Sequence, residues 1–224
     1  AVLNADDPLT GQAATISPAR RVFFSQHQPV REGACLRAAM LWLRHGEAEE
    51  SICPRNAVRI QGAHNTENAL AAAAAAGIVG VPVPAMRDVL RQFPGLEHRL
   101  EFVAEIAGIR YFNDSMGTNV GATAKSLESF PAGRVVLIAG GLDKGADFQP
   151  LVPVIKERVK AAVLIGQARE KLRAALKGVC PLTEARSMEE AVEAAASRAS
   201  SRDTVLLSPA CASFDMFRDF EERG

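Results

Sequence analysis

The sequence has no excess of either charge sign: among 224 residues, 26 Lys and Arg balance 26 Asp and Glu. A broad electropositive field able to hold a nucleic-acid backbone non-specifically is thereby excluded. The four cysteines, Cys35, Cys53, Cys180 and Cys211, stand far apart and make no CxxC pair or Cys/His cluster with zinc-ligand spacing, so they read as buried thiols and no metal site is expected among them. No basic segment followed by an apolar stretch opens the chain, which fits a reducing cytoplasm rather than export. The longest uncharged run, Ala69 to Met86, approaches spanning length. Its alanines are weakly apolar, however, and Gly77, Gly80, Pro82 and Pro84 interrupt it, so an Ala-rich helix followed by a turn is expected in place of a membrane segment. There is no GxxxxGKS/T phosphate loop, no GxGxxG fingerprint, no internal repeat and no low-complexity tail.

What is present is a globular composition, 48% hydrophobic and 23% charged, at a length that allows one large domain or two small ones. From Gly95 onward strand and helix signals alternate. Arg134–Ala139, Ala161–Ile165 and Thr204–Leu207 are short apolar runs of the kind buried on both faces of a parallel sheet. Between them, helices are expected over Phe148–Val159 after Asp147, over Ala168–Leu176, and from the capping pattern Ser187-Met188-Glu189-Glu190 through Ala196. The pattern is that of an α/β, doubly wound, Rossmann-like domain. Upstream, Val22–Ser25 reads as a strand, Asn65–Gly77 and Pro84–Phe93 as helices, and Ala34–Arg44 as either a helix or a β-hairpin. Phe93-Pro94-Gly95-Leu96 breaks both periods and divides the chain into expected domains 1–94 and 95–224. AVLN at one end reads as a strand and Phe214, Phe217 and Phe220 at the other as one helix face, so a fragment of a longer protein is expected.

Polar islands interrupt the apolar pattern where α/β sheets place ligands. In Gly62–Asn68, Asn65 and Asn68 share a helix face, and taken alone they read as helix caps. Glu97-His98-Arg99 offers a guanidinium fork for phosphate or carboxylate and an imidazole that can move a proton. Asn113–Asn119 follows the strand Tyr111-Phe112 and precedes a helix, as a ligand-binding turn does. Gly140–Asp147 follows a strand directly, its glycines allowing close backbone approach and Lys144 offering a mobile point charge. Ser208–Asp215 places two hydroxyls at another strand end, beside Cys211, which reads as a buried thiol because no base accompanies it.

Taken in order, GAHNTENALAA, FPGLEHRLEF, FNDSMGTNVGAT, GGLDKGADF and SPACASFDMFRDFEERG resemble the Mur ligase family of peptidoglycan synthesis, over roughly Asn4 to Gly224. The likeness is greatest to the branch that adds D-glutamate to UDP-N-acetylmuramoyl-L-alanine. It implies a cytoplasmic, ATP-dependent ligase with magnesium, whose partners are those two substrates and ATP, with neither nucleic acid nor membrane. Residues 1–94 would then be the end of a P-loop-type central ATPase domain and 95–224 a C-terminal domain that binds the amino acid. The resemblance also implies β-structure for Ala34–Arg44.

By the same resemblance, Asn68 would touch adenine, Arg99 the phosphates and Asp114 the ribose hydroxyls, with Asn65 and His98 lining the cleft. Thr118 and Lys144 would hold the α-carboxylate of D-glutamate, and Ser213 and Phe220 its side-chain carboxylate. Lys144 and His98 are the candidate catalytic groups. At Met116 the family pattern has lysine, so a positive charge beside the transferred phosphate is missing. The P-loop, the magnesium ligands and the UDP-sugar site are expected upstream of Ala1, so this chain alone is not expected to turn over. The other readings are a folylpolyglutamate synthetase-like ligase and a Mur-like module that binds glutamate or nucleotide without chemistry.

Overall fold

Two sheets organise the chain, which a computed structural model describes over residues 1–16, 18–60 and 62–224. They lie in two units, Ala1–Gly95 and Leu96–Gly224. In the first unit β1 (Val2–Asn4), β2 (Val22–Ser25) and β3 (Glu32–Arg37) run parallel, with α1 (Pro8–Ile16) between β1 and β2. The strands β4 (Met40–His45) and β5 (Ala48–Pro54) extend the sheet antiparallel. Ala34–Arg44 is therefore a hairpin, closed by Ala38 and Ala39 with φ of 48° and 59°, the left-handed pair that a two-residue turn needs. The helices α2 (Ala63–Ile78) and α3 (Val83–Gln92) follow. Ala69, Leu70, Ala73 and Ala74 of α2 share one buried face and pack on Val22, Ala34 and Leu43, and small side chains there let helix and sheet approach closely.

The second unit opens with a hairpin, β6 (Glu101–Ile106) and β7 (Ile109–Asn113), and then α4 (Val120–Leu127), whose N-cap Asn119 accepts a hydrogen bond from the backbone N–H of Ala122. Next come β8 (Val135–Gly140), α5 (Val152–Arg158), β9 (Val159–Ile165), α6 (Arg169–Leu176), β10 (Leu182–Glu184), α7 (Met188–Arg198), β11 (Thr204–Leu207) and the short α8 (Phe220–Arg223). The strand order is β10-β9-β8-β11-β7-β6, parallel except for β6. All six residues of β8 are buried, and they alternate between two cores: Val135, Leu137 and Ala139 join Leu127, Phe148 and Leu172, whereas Val136 and Ile138 join Ala191 and Ala195 of α7. Helices thus cover both faces, as a doubly wound domain requires. No helix among the described residues is long and apolar enough to cross a membrane.

At the start of the strands, Asp203 is fully buried and accepts hydrogen bonds from Lys160 Nζ at 2.7 Å, Arg134 Nη1 at 3.1 Å and the Ser200 backbone N–H at 2.8 Å. Burial raises its carboxyl pKa, but these donors outweigh burial and hold it below the ordinary value. A carboxylate depressed in the folded state stabilises above its unfolded pKa, and the contribution is lost as pH falls through the folded one. Asp203→Asn is expected to lower stability at pH 7 by about 1–3 kcal/mol. The gap to wild type should close in acid; urea denaturation at both pH values checks it, and equal stability at pH 7 contradicts it.

Candidate functional site

The strands β7, β11, β8 and β9 end at one edge of the second sheet, with Leu207 level with both Asn113 and Ile138, and Gly140 level with Ile165. Their loops are stitched together by backbone hydrogen bonds. The Asp114 N–H donates to Leu207 O at 2.8 Å, that of Ala210 to Gly117 O at 2.9 Å, and that of Gly140 to Pro209 O at 2.9 Å. Leu142 and Ala212 exchange both bonds, at 2.9 and 3.2 Å, which brings the Lys144 loop beside the Ser213 loop. Gly141 makes this approach possible: with φ at 135°, a Cβ there would lie 2.2 Å from Ala212 O.

Asp114 is turned inward, only 3% exposed. Its Oδ2 accepts from the hydroxyls of Ser126 and Ser208, each at 2.6 Å, and its Oδ1 from the Leu100 N–H at 3.2 Å. Burial raises its pKa, opposed by those hydrogen bonds and by the charge of Arg99. Gly117 completes the fit, since a Cβ there would lie 2.7 Å from Asp114 Oδ2 and 2.8 Å from Ser208 Oγ. The family resemblance assigns Asp114 to ribose hydroxyls; in this structure its carboxylate accepts these three hydrogen bonds.

His98 and Leu100 have φ of 61° and 46°, a left-handed conformation that non-glycine residues keep only when held. The Glu101 carboxylate accepts the His98 N–H at 2.8 Å, and the Met116 N–H donates to the His98 carbonyl at 2.9 Å. Asn113 Nδ2 lies 2.9 Å from His98 Nδ1, and Asn113 Oδ1 accepts from Ser115 N–H at 3.0 Å. With the amide so oriented Nδ2 donates, so His98 Nδ1 accepts and the ring proton of the neutral imidazole sits on Nε2. The Phe220 ring meets the imidazole edge-on, with centroids 6.1 Å apart. The Arg99 side chain is exposed, and among the described residues no hydrogen bond or ion pair engages it.

Lys144 is likewise exposed and without a partner among the described residues. The adjacent Asp143 does not neutralise it: that carboxylate accepts from Lys171 Nζ at 2.9 Å and from the N–H groups of Gly145 and Ala146, and Lys171 first among these holds its pKa below the ordinary value. Thr118 is half-buried and Ser213 buried, each on a loop tied to that of Cys211. Burial pushes the Cys211 thiol up to about 12, so it is protonated at neutral pH and is no nucleophile.

Asn65 and Asn68 belong to the first unit. They lie inside α2 rather than capping it: the N-cap is Gly62, and Asn68 Nδ2 donates to Asn65 Oδ1 at 3.2 Å. Beside them Glu67 accepts from Gln26 Nε2 at 3.0 Å, tying the start of α2 to the end of β2. A second correction concerns the helix expected through Phe214 and Phe217. Asp215 accepts the Gln167 N–H at 2.7 Å and Asp219 caps Glu222 at 2.8 Å, so the segment turns and becomes helical only from Phe220. The tertiary bond of Asp215 and the local cap at Asp219 outweigh the apolar spacing.

A family model described as the Mur ligase glutamate ligase domain matches residues 98–211. Along its whole length the chain is 45% identical to a UDP-N-acetylmuramoylalanine--D-glutamate ligase of Acidobacterium capsulatum and 46% identical to one of Methylococcus capsulatus. The chain belongs to the Mur ligase family. It spans about half of these relatives, 49% and 48% of their lengths. Solved Mur ligases share the fold: a UDP-N-acetylmuramate-alanine ligase from Thermotoga maritima superposes with a TM-score of 0.67 at 17% identity, over 93% of this chain and 47% of that one. A Mycobacterium tuberculosis folylpolyglutamate synthase complexed with ADP gives 0.66 at 16% identity, over 91% and 51%.

For a Mur ligase chain, the parts hardest to find by sequence are those beneath the loops. Ser126 and Arg223 lie in apolar or charged surroundings that give no hint of convergence, and only burial reveals them. Among the described residues no group of three or more His, Cys, Asp or Glu side chains converges as a metal site.

Proposed function

We propose that the full-length protein joins D-glutamate to UDP-N-acetylmuramoyl-L-alanine in an ATP-driven amide ligation, with residues 1–94 closing its central ATPase domain and 95–224 forming its amino-acid-binding domain. The observation that carries the reading is the Leu142–Ala212 pairing. It sets the unpartnered Lys144 ammonium and the buried Ser213 on adjoining loops at the ends of parallel strands. In that place Lys144 and Thr118 hold the α-carboxylate of D-glutamate, and Ser213 and Phe220 its side-chain carboxylate. Identity of 45% to relatives named for this reaction supports the same substrates.

The chemistry asks for positioned charge. The carboxylate of the acceptor takes the γ-phosphoryl group of ATP; the amine of D-glutamate then attacks the acyl phosphate, and phosphate leaves from the tetrahedral intermediate. Lys144 orients the amine by fixing the neighbouring carboxylate. Arg99 offers its free guanidinium to the phosphates. His98, with its proton on Nε2, lines the same place as a donor, and Asn65 and Asn68 take the adenine side. Asp114 acts through the turn it holds. Met116 contributes its backbone N–H to the His98 carbonyl, so a thioether there keeps the turn while leaving the positive charge to Arg99 and Lys144.

The test uses the full-length protein with the acceptor carboxylate labelled with oxygen-18. An acyl phosphate route transfers one labelled oxygen to the phosphate released and yields a product heavier by a glutamyl residue. Unlabelled phosphate, or no product, contradicts it.

A further inference from the structure

We propose that Arg223 is a positioning residue that registers all four groups expected to hold the amino-acid substrate, a role that rests on the D-glutamate reading above. Arg223 is 3% exposed, and among the described residues no carboxylate pairs with it. A buried guanidinium with no carboxylate in contact, Asp215 acting on it only through space, is costly, so it persists only where its hydrogen bonds are well made.

Those bonds reach two of the strand-end loops, and the guanidinium lies against the third. Nε donates to Ser115 Oγ at 3.0 Å and Nη2 to Ser115 O at 2.8 Å, in the turn that carries Thr118. Nη1 donates to Cys211 O at 3.1 Å, two residues before Ser213. The same Nη1 would lie 3.2 Å from a Cβ on Gly141, at the root of the Lys144 loop. Ser115 Oγ in turn donates to Phe220 O at 2.7 Å, closing the circuit onto the helix that Arg223 itself ends. One planar fork with fixed directions thus ties two strand-end loops to α8 while packing against the third at Gly141, which a lysine's single point of charge cannot reproduce. With 3% exposure and its donors engaged by Ser115 and Cys211, Arg223 acts through these neighbours and not by touching substrate.

In the full-length protein, Arg223→Met and Arg223→Lys are expected to raise KM for D-glutamate about tenfold or more while KM for ATP stays within about twofold. Ser115→Ala, which removes one hydroxyl and leaves the guanidinium in place, is expected to move KM for D-glutamate in the same direction by a smaller factor. A folded Arg223→Met enzyme with both KM values unchanged, or with both raised equally, overturns the proposal. If that variant does not fold, Ser115→Ala decides the matter by the same split. Amide hydrogen exchange separates this from the fate of the functional reading. Faster exchange confined to the segments around Ser115, Gly141, Cys211 and Phe220 supports the clamp even in an enzyme that does not use D-glutamate, whereas unchanged protection there overturns the clamp itself.

Discussion

Lys144→Ala in the full-length protein is expected to lower D-glutamate-dependent phosphate release by about 100-fold or more, the scale set by removing one aimed charge from an active site. The expectation follows from the local electrostatics. An exposed lysine usually shares its charge with a neighbouring carboxylate, and Asp143 is adjacent, yet that carboxylate is turned to Lys171 and to the N–H groups of its own loop. The ammonium is therefore left for a ligand. Because it has no partner within the described residues, its removal should change stability by no more than about 0.5 kcal/mol. The two measurements together identify a binding group: loss of turnover with intact thermal unfolding is expected. Unchanged turnover, or a loss that merely tracks unfolding, contradicts the assignment.

Gly141→Ala should have the largest effect on stability. At φ of 135° an alanine is strained, and its Cβ would sit 2.2 Å from Ala212 O and 3.2 Å from Arg223 Nη1. Backbone strain and overpacking together should cost about 3 kcal/mol. Ala212 O cannot simply retreat, because it accepts the Leu142 N–H in the pairing that joins the two loops. The variant is therefore expected to lose glutamate-dependent turnover along with stability, as the Lys144 loop separates from the Ser213 loop. Denaturant unfolding checks the first and steady-state kinetics the second; a variant within about 0.5 kcal/mol of wild type contradicts the packing described.

The central strands are the most legible part of the fold, and for a physical reason. Val135–Gly140, Ala161–Ile165 and Val205–Leu207 are buried throughout, so each is a continuous apolar run. The helix at Met188 announces itself through Ser187, which accepts the Glu190 N–H at 3.2 Å. The hairpin of β3 and β4 is ambiguous in sequence because its turn is Ala38-Ala39, which lacks the glycine or asparagine that usually marks left-handed positions. Phe214, Phe217 and Phe220 have helical spacing, but Asp215 is held by the Gln167 N–H and Asp219 caps a helix that starts only at Phe220. In the site, Lys144, Thr118 and Ser213 are visible because polar residues at strand ends stand out against an apolar pattern. Asp114 is visible but its orientation is not, since Ser126 and Ser208 lie 12 and 94 residues away. Arg223 in FEERG reads as one more charge on a surface helix until its burial is known.

The most direct test of the D-glutamate site is phosphate release from ATP by the full-length protein, supplied with UDP-N-acetylmuramoyl-L-alanine and either D- or L-glutamate. A site in which Lys144 and Thr118 hold one carboxylate while Ser213 and Phe220 hold the other fixes two ends of the amino acid, so inverting its α-carbon misdirects the amine. Release that depends on the D isomer is the predicted result. Equal release with both isomers, or release indifferent to glutamate, would contradict it.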